Sequence, residues 1–260
     1  VYSFNDIGKI IQRHKIDEIL IAIPSASRSR RAIIENILEQ FPVEVRILPS
    51  VSDVAGGRVS IDDLRKVSIK DLLGRDSVST NQKLLCKNIT KKVVLITGAG
   101  GSIGSEFCRQ ALFLEPKVLI MFEISEVALY GIEKKLTNLN VNQTKIIPML
   151  GSVNNKKRLI KVFEQFEVET VYHAAAYKHV PMVEFNGDQG VLNNIFGTLN
   201  CVQAAIDSKV KTFVLISTDK AVRPTNIMGA TKRVAELILQ AYADVQSDTK
   251  LTMVRFGNVL

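Results

Sequence analysis

The stretch Val93-Val94-Leu95-Ile96-Thr97-Gly98-Ala99-Gly100-Gly101-Ser102-Ile103-Gly104 decides how the rest of the chain is read. Four apolar residues in a row predict a strand covered on both faces, as in a parallel sheet. The glycines at 98, 101 and 104 predict a tight turn into a helix. Gly98 permits the turn, Gly101 lets backbone approach a pyrophosphate, and Gly104 allows close helix–strand packing. Backbone N–H groups at Ser102, Ile103 and Gly104 would then face phosphate oxygens. Glycine-rich turns between strand and helix also occur without a ligand. The strand before this one and the helix after it are the context a dinucleotide site needs.

Outward from that turn, strand and helix alternate. Helix 102–114, strand 117–122, helix 125–138 and strand 145–149 come first. Helix 155–166, strand 169–173, helix 187–207, strand 211–217, helix 228–244 and strand 251–256 follow. This alternation predicts an α/β fold with a doubly wound parallel sheet over 91–260. Glu123 ends the second strand, where a ribose-binding acid is expected. A carboxylate there repels a 2′-phosphate, and no arginine follows in Ile124-Ser125-Glu126, so NAD is favoured over NADP. An ordinary acid near a helix N-terminus is the alternative. After the fourth strand, the small Ala174-Ala175-Ala176 run would let a cofactor lie close over the sheet edge, with Lys178 beside it.

Upstream, residues 1–50 read as a smaller α/β domain. Ile7, Ile10 and Ile11 share a helical face, 18–24 is a buried strand, 30–41 a helix and 43–48 an alternating strand. Residues 51–90 read as a connecting segment with short elements and a turn at Gly56-Gly57. Ser25 to Arg31 lies between a strand and a helix, where an anion could bind, although a solvated basic loop is the plainer reading. The chain lacks an initiator Met and stops in a strand exit, so a longer protein is expected, with its C-terminal substrate part beyond Leu260.

The 34 Lys and Arg against 26 Asp and Glu give a net charge of +8, suited to anionic ligands. The basic residues are dispersed without interleaved aromatics, which argues against nucleic acid. Cys86, Cys108 and Cys201 have no CxxC or metal spacing, and no metal site is expected. No apolar run approaches the roughly 18 residues that would span a bilayer.

Leu215-Ile216-Ser217-Thr218-Asp219-Lys220 is a strand ending in reactive groups, and carboxyl ends of parallel strands are where such sheets bind ligands. Asp219 and Lys220 can do acid and base work if their surroundings tune them. Taken with Gly98-x-x-Gly101-x-x-Gly104, His173-Ala174-Ala175-Ala176, Asn194-x-x-Gly197-Thr198 and Lys232, this order resembles the extended short-chain dehydrogenases that act on nucleotide sugars (a Rossmann fold). Tyr177-Lys178-His179-Val180-Pro181, Thr218 to Val222, Pro224 to Gly229 and Asp71 to Arg75 are similar to one branch. That branch is the bacterial membrane-anchored UDP-N-acetylglucosamine 4,6-dehydratases of capsule, O-antigen and protein-glycosylation pathways.

The resemblance implies NAD as cofactor and UDP-N-acetylglucosamine as substrate. It also implies a homo-oligomer and a membrane anchor outside this stretch, at the cytoplasmic face of the inner membrane. Hydride leaves sugar C4, a base removes the C5 proton, the C6 hydroxyl leaves as water, and hydride returns to C6. In that scheme Thr218 holds the 4-hydroxyl, Asp219 is the acid at C6, and Lys220 is the C5 base. Lys232 holds the nicotinamide ribose, and Asn194 belongs to the cofactor site. Two departures from the wider superfamily stand out. Met228 occupies the position of the usual catalytic tyrosine, and a thioether cannot accept a proton. Asp219 or a water must take its place. Gly151-Ser152-Val153 replaces a usual Gly-Asp, which removes one expected adenine contact. A nucleotide-sugar epimerase or reductase, or an NAD-binding sensor without turnover, are the competing readings.

Overall fold

In the computed structural model, residues 6–14, 16, 18–23, 34, 37–38, 43–47, 65–66, 80–142 and 144–257 are described. The expected helix over 30–41, the Ser25 to Arg31 loop, the Gly56-Gly57 turn and the Asp71 to Arg75 motif lie largely or wholly outside them. The chain divides into two compact units, Val1–Ser79 and Thr80–Val259.

In the first unit, helix α1 (Ile7–His14) precedes strands β1 (Glu18–Ile21) and β2 (Glu44–Ile47), which pair in parallel. A two-residue strand β3 (Arg65–Lys66) adds antiparallel to β2.

The second unit opens with helix α2 (Gln82–Lys87), capped by Asn81. Then follow β4 (Val93–Thr97), α3 (Ser102–Phe113), β5 (Val118–Glu123), α4 (Glu126–Leu139), β6 (Lys145–Leu150), α5 (Lys156–Phe166) and β7 (Thr170–His173). Two short helices, α6 (Val180–Phe185) and α7 (Gly187–Gly190), lead through a π-helical turn (Val191–Phe196) into α8 (Gly197–Asp207). Strand β8 (Thr212–Thr218), a 3-10 turn at Asp219–Ala221, α9 (Ile227–Val245) and β9 (Lys250–Phe256) complete the unit. The strand order β6-β5-β4-β7-β8-β9 is parallel throughout. This is the doubly wound Rossmann order, and its direction reverses between β4 and β7.

Period-two alternation along the central strands builds a core on each face. Leu95, Ile120 and Phe122 pack with α5, α8 and α9 residues such as Leu159, Val202 and Leu239. Their neighbours Val94, Ile96, Leu119 and Met121 pack on the opposite face with Cys108, Leu112 and Leu129 of α3 and α4. All of β4 is buried, as its apolar run requires. One expected element differs. The helix over 187–207 is three segments, because the π-helical turn adds a residue to the helical ring at 191–196. Helix α6 lies where no element was expected.

Candidate active site

The reversal of strand order between β4 and β7 opens a crevice at their carboxyl ends, and the glycine turn fills its floor. Gly98 has φ +64, and a Cβ on it would come within 2.7 Å of Ala175 backbone. A Cβ on Gly104 would overlap the Gly98 carbonyl. Both residues are therefore glycine because the β4–α3 turn, the Ala174–Ala176 run and the helix start are in contact. Helices α4, α5 and α9 are capped by the side chains of Ser125, Asn155 and Asn226. Helix α3 begins at Gly101 without a side-chain cap, so its first N–H groups face the crevice, as a phosphate site requires. These features fit a dinucleotide.

A cleft of about 580 Å³ is lined by Gly101, Ser102, Ile103, Gly104, Ala174, Ala176 and Lys178, together with Met182 and Val183 of α6. Lys178 Nζ donates to Ser102 Oγ at 3.0 Å, placing an ammonium over the start of α3. Seven of the twelve expected cofactor residues thus line one cleft, and Gly98, Glu123, Ala175, Asn194 and Lys232 do not. Ala175 packs behind Gly98.

Glu123 is 8% exposed and sits behind the turn. Its Oε2 accepts from Gly100 N at 3.0 Å, and its Oε1 accepts from Ile124 N at 2.9 Å and Ser125 N at 3.0 Å. This carboxylate therefore braces the glycine turn, and a ribose hydroxyl could use only its remaining lone pairs.

Asn194 is 1% exposed in the π-helical turn. Its Oδ1 accepts from Tyr177 N at 2.8 Å and from Asn193 Nδ2 at 3.2 Å. Its Nδ2 donates to Tyr177 O and to Thr231 Oγ1, both at 3.0 Å. All four hydrogen-bonding positions of the amide are filled. Asn194, expected in the cofactor site, pins the loop after β7 to α9.

His173 was legible only as part of a motif, and its role emerges from the fold. It pairs in register with Thr97 across β4 and β7. Its Nδ1 lies 2.8 Å from Thr97 Oγ1 and its Nε2 lies 3.1 Å from Thr198 Oγ1. Thr198 Oγ1 donates to Asn194 O at 2.6 Å, so it accepts from the imidazole, which carries its proton on Nε2. Burial, helped by the charge of Lys232, pushes the His173 pKa down to about 3, so the ring is neutral.

At the end of β8, Thr218 Oγ1 donates to Asp219 Oδ1 at 3.0 Å and accepts from Lys220 N at 3.3 Å. Lys220 Nζ lies 3.5 Å from the same Asp219 oxygen. The Thr218 hydroxyl, then the Lys220 charge, hold the Asp219 carboxyl below its ordinary range, so it is an anion at neutral pH. Met228 is 3% exposed, and Lys232, one helical turn on, is 6% exposed and donates to Ile216 O at 2.7 Å. Burial pushes the Lys232 pKa down to about 8, against the opposing attraction of Glu236.

Glu236, with no exposed surface, was not anticipated. It accepts from Ser217 Oγ at 2.7 Å, from Arg255 at 2.8 and 2.7 Å, and from Arg233 at 2.9 Å. Burial raises its pKa, but these donors outweigh that and hold it at about 2. A charged residue four positions after Lys232, on the same buried face, was the available signal. Gly151 follows β6 against the Phe122 ring, and Ser152 Oγ accepts from Asn154 N at 3.2 Å. Among the described residues no group of His, Cys, Asp or Glu could hold a metal, and no helix is long and apolar enough to cross a membrane.

Comparison with known proteins agrees with this geometry. The family described as "Polysaccharide biosynthesis protein" matches residues 94–260. The capsular polysaccharide biosynthesis protein CapD of Staphylococcus aureus is 42% identical over 255 residues, covering 98% of this chain and 43% of CapD. The X-ray structure of Pen from Bacillus thuringiensis is 37% identical, with a TM-score of 0.61, covering 66% of this chain and 52% of that one. A dTDP-glucose 4,6-dehydratase of Streptomyces venezuelae, solved as a double mutant with NAD bound, shares the fold at 22% identity and a TM-score of 0.54, covering 62% of this chain and 54% of that one. The chain spans less than half the length of the curated relatives it matches at nearly its full extent.

Proposed function

The chain belongs to the polysaccharide biosynthesis protein family, and on that premise we propose that the intact protein binds NAD and dehydrates UDP-N-acetylglucosamine to the UDP-4-keto-6-deoxy sugar. The observation that carries this reading is Thr218, Asp219 and Lys220 joined at the carboxyl end of β8, while Met228 stands one helical turn before Lys232. A simple oxidoreductase of this fold uses a tyrosine there. A dehydratase needs an additional acid–base pair, and this chain has one.

When bound, NAD accepts a hydride from C4 of the sugar and returns it to C6. The anionic Asp219 takes the 4-hydroxyl proton, a task that Met228 cannot perform. Thr218 orients that hydroxyl. Lys220, once it has given its ammonium proton to solvent, removes the C5 proton, which the new 4-ketone acidifies. Asp219 then gives its proton to the C6 oxygen, which departs as water, and Lys220 returns a proton to C5. The sum is loss of one water from the sugar. This order reconciles Asp219 as the acid at C6 with a carboxyl that begins ionised. Lys232 and Lys178 would hold the nicotinamide ribose and a phosphate, and the start of α3 the pyrophosphate. A membrane anchor, a homo-oligomer and a cytoplasmic-face location in the intact protein belong to the same reading.

Incubating the full-length protein with UDP-N-acetylglucosamine and analysing the sugar tests this. A 4-keto-6-deoxy product supports it. The second reading is a non-catalytic NAD-binding sensor, favoured by Met228, and it expects unchanged sugar. A C4 epimer would instead mean an epimerase.

A further inference from the structure

The wall of the cleft opposite the glycine turn is α6, which contributes Met182 and Val183. From the same short helix, Glu184 Oε1 accepts the backbone N–H of Ile227 at 2.6 Å. Ile227 is the first residue of α9, the helix that carries Met228 and Lys232. Two other donors of that helix start are served locally: Asn226 Oδ1 accepts from Gly229 N at 2.7 Å, and Asn226 O accepts from Ala230 N at 3.0 Å. Glu184 therefore supplies from 43 residues away a cap that the local sequence does not. Its charge also complements the positive end of the helix dipole.

The contact is more than one hydrogen bond. A Cβ on Gly187, just after α6, would lie 3.3 Å from the Ile227 side chain, so the backbone there packs on the helix start. Val183 is 3% exposed and anchors the α6–α7 corner, and a Cβ on Gly190 would meet it at 2.7 Å. Yet α6 has only six residues and lacks a side-chain cap of its own. A helix that short has little stability alone, and its position depends on what it touches.

We propose that Glu184 is a positioning residue: it clamps the α6 wall of the cleft to the start of α9 and so sets how tightly the cofactor and the ligand beside it are held. The proposal rests on the nucleotide-sugar reading given above for what that ligand is. Glu184 touches no reacting atom. Its loss loosens the wall while leaving the glycine turn, Glu123 and Lys178 in place.

The test compares full-length wild-type, Glu184→Ala and Glu184→Gln proteins. Glutamine keeps an acceptor oxygen and removes the charge. Hydrogen exchange of the segments 180–187 and 225–230 reads the clamp itself. KM and kcat for UDP-N-acetylglucosamine, with the Kd for NAD, read its consequence. The alanine variant should exchange faster in both segments and raise KM about fivefold, the effect of losing one helix-capping interaction. Its Kd for NAD should rise with KM while kcat stays within about twofold, and glutamine should restore most of both losses by the same capping logic. Unchanged exchange in the alanine variant overturns the proposal, as does faster exchange with an unchanged KM. If the wild-type protein converts no nucleotide sugar, the functional reading fails, and the exchange arm alone decides whether the clamp exists.

Discussion

The carbonyl oxygen of Lys220 lies against the Cα of Gly229 so closely that a Cβ would overlap it. The 3-10 turn carrying Asp219 and Lys220 thus rests on the first turn of α9, and only glycine lets it come that near.

Gly229→Ala should therefore push the Asp219–Lys220 turn away from its place. Both clashing groups are backbone, so neither can simply rotate aside. Displacing catalytic groups by ~1 Å can cost about a hundredfold in rate, and a loss of that size in product formation is expected. The Kd for NAD, measured by titration, should change little, because the glycine turn of β4 and α3 is not touched. A variant with normal turnover would show that the turn is not held there.

The depressed pKa of Lys232 has a sign that can be checked. Its folded value of about 8 lies below the ordinary 10.5, so the unfolded chain binds the proton more tightly. Below about pH 8 both states are charged and the burial penalty is fully present. The penalty fades as pH rises toward 10.5, and stability from this group grows in that window. Thermal unfolding of Lys232→Met across pH 7 to about 10.5 should lack this rise relative to wild type. The same variant should bind NAD more weakly, which a titration measures.

Asn194→Ala would strand the Tyr177 N–H and carbonyl and the Thr231 hydroxyl side of the clamp. Leaving buried polar groups unpaired costs about 1–3 kcal/mol each. A clear drop in unfolding midpoint is expected in denaturant titration, together with weaker NAD binding. Since Asn194 is saturated within the protein, the two losses should appear together. A variant that keeps its stability but loses the cofactor would instead mean direct contact.

Much of the fold was legible in residue order. The run Val93 to Ile96 could only be a buried strand, and Gly98-x-x-Gly101-x-x-Gly104 fixed the turn that follows, because both are local statements about period and backbone freedom. Element boundaries in the second unit fell within a residue or two for the same reason. The π-helical turn at 191–196 left no mark, since one extra residue in a helical ring barely disturbs the apolar pattern of Val191-Leu192-Asn193-Asn194-Ile195-Phe196. Short α6 was hidden by Pro181 and by a length too small for periodicity. At the site, residue types marked the ends of strands, but many of the partners that engage their side chains lie far away in sequence. Glu123 read as a ribose acid, whereas its oxygens are engaged by Gly100, Ile124 and Ser125. Glu236 gained its meaning only when β9 brought Arg255 beside Ser217, its register partner on β8.

The most direct measurement follows full-length protein and UDP-N-acetylglucosamine in deuterated water by NMR. Loss of water with proton return to C5 through Lys220 requires a 4-keto-6-deoxy sugar carrying deuterium at C5. Unchanged sugar in the presence of bound NAD, or a C4 epimer without deuterium at C5, would contradict the dehydratase reading.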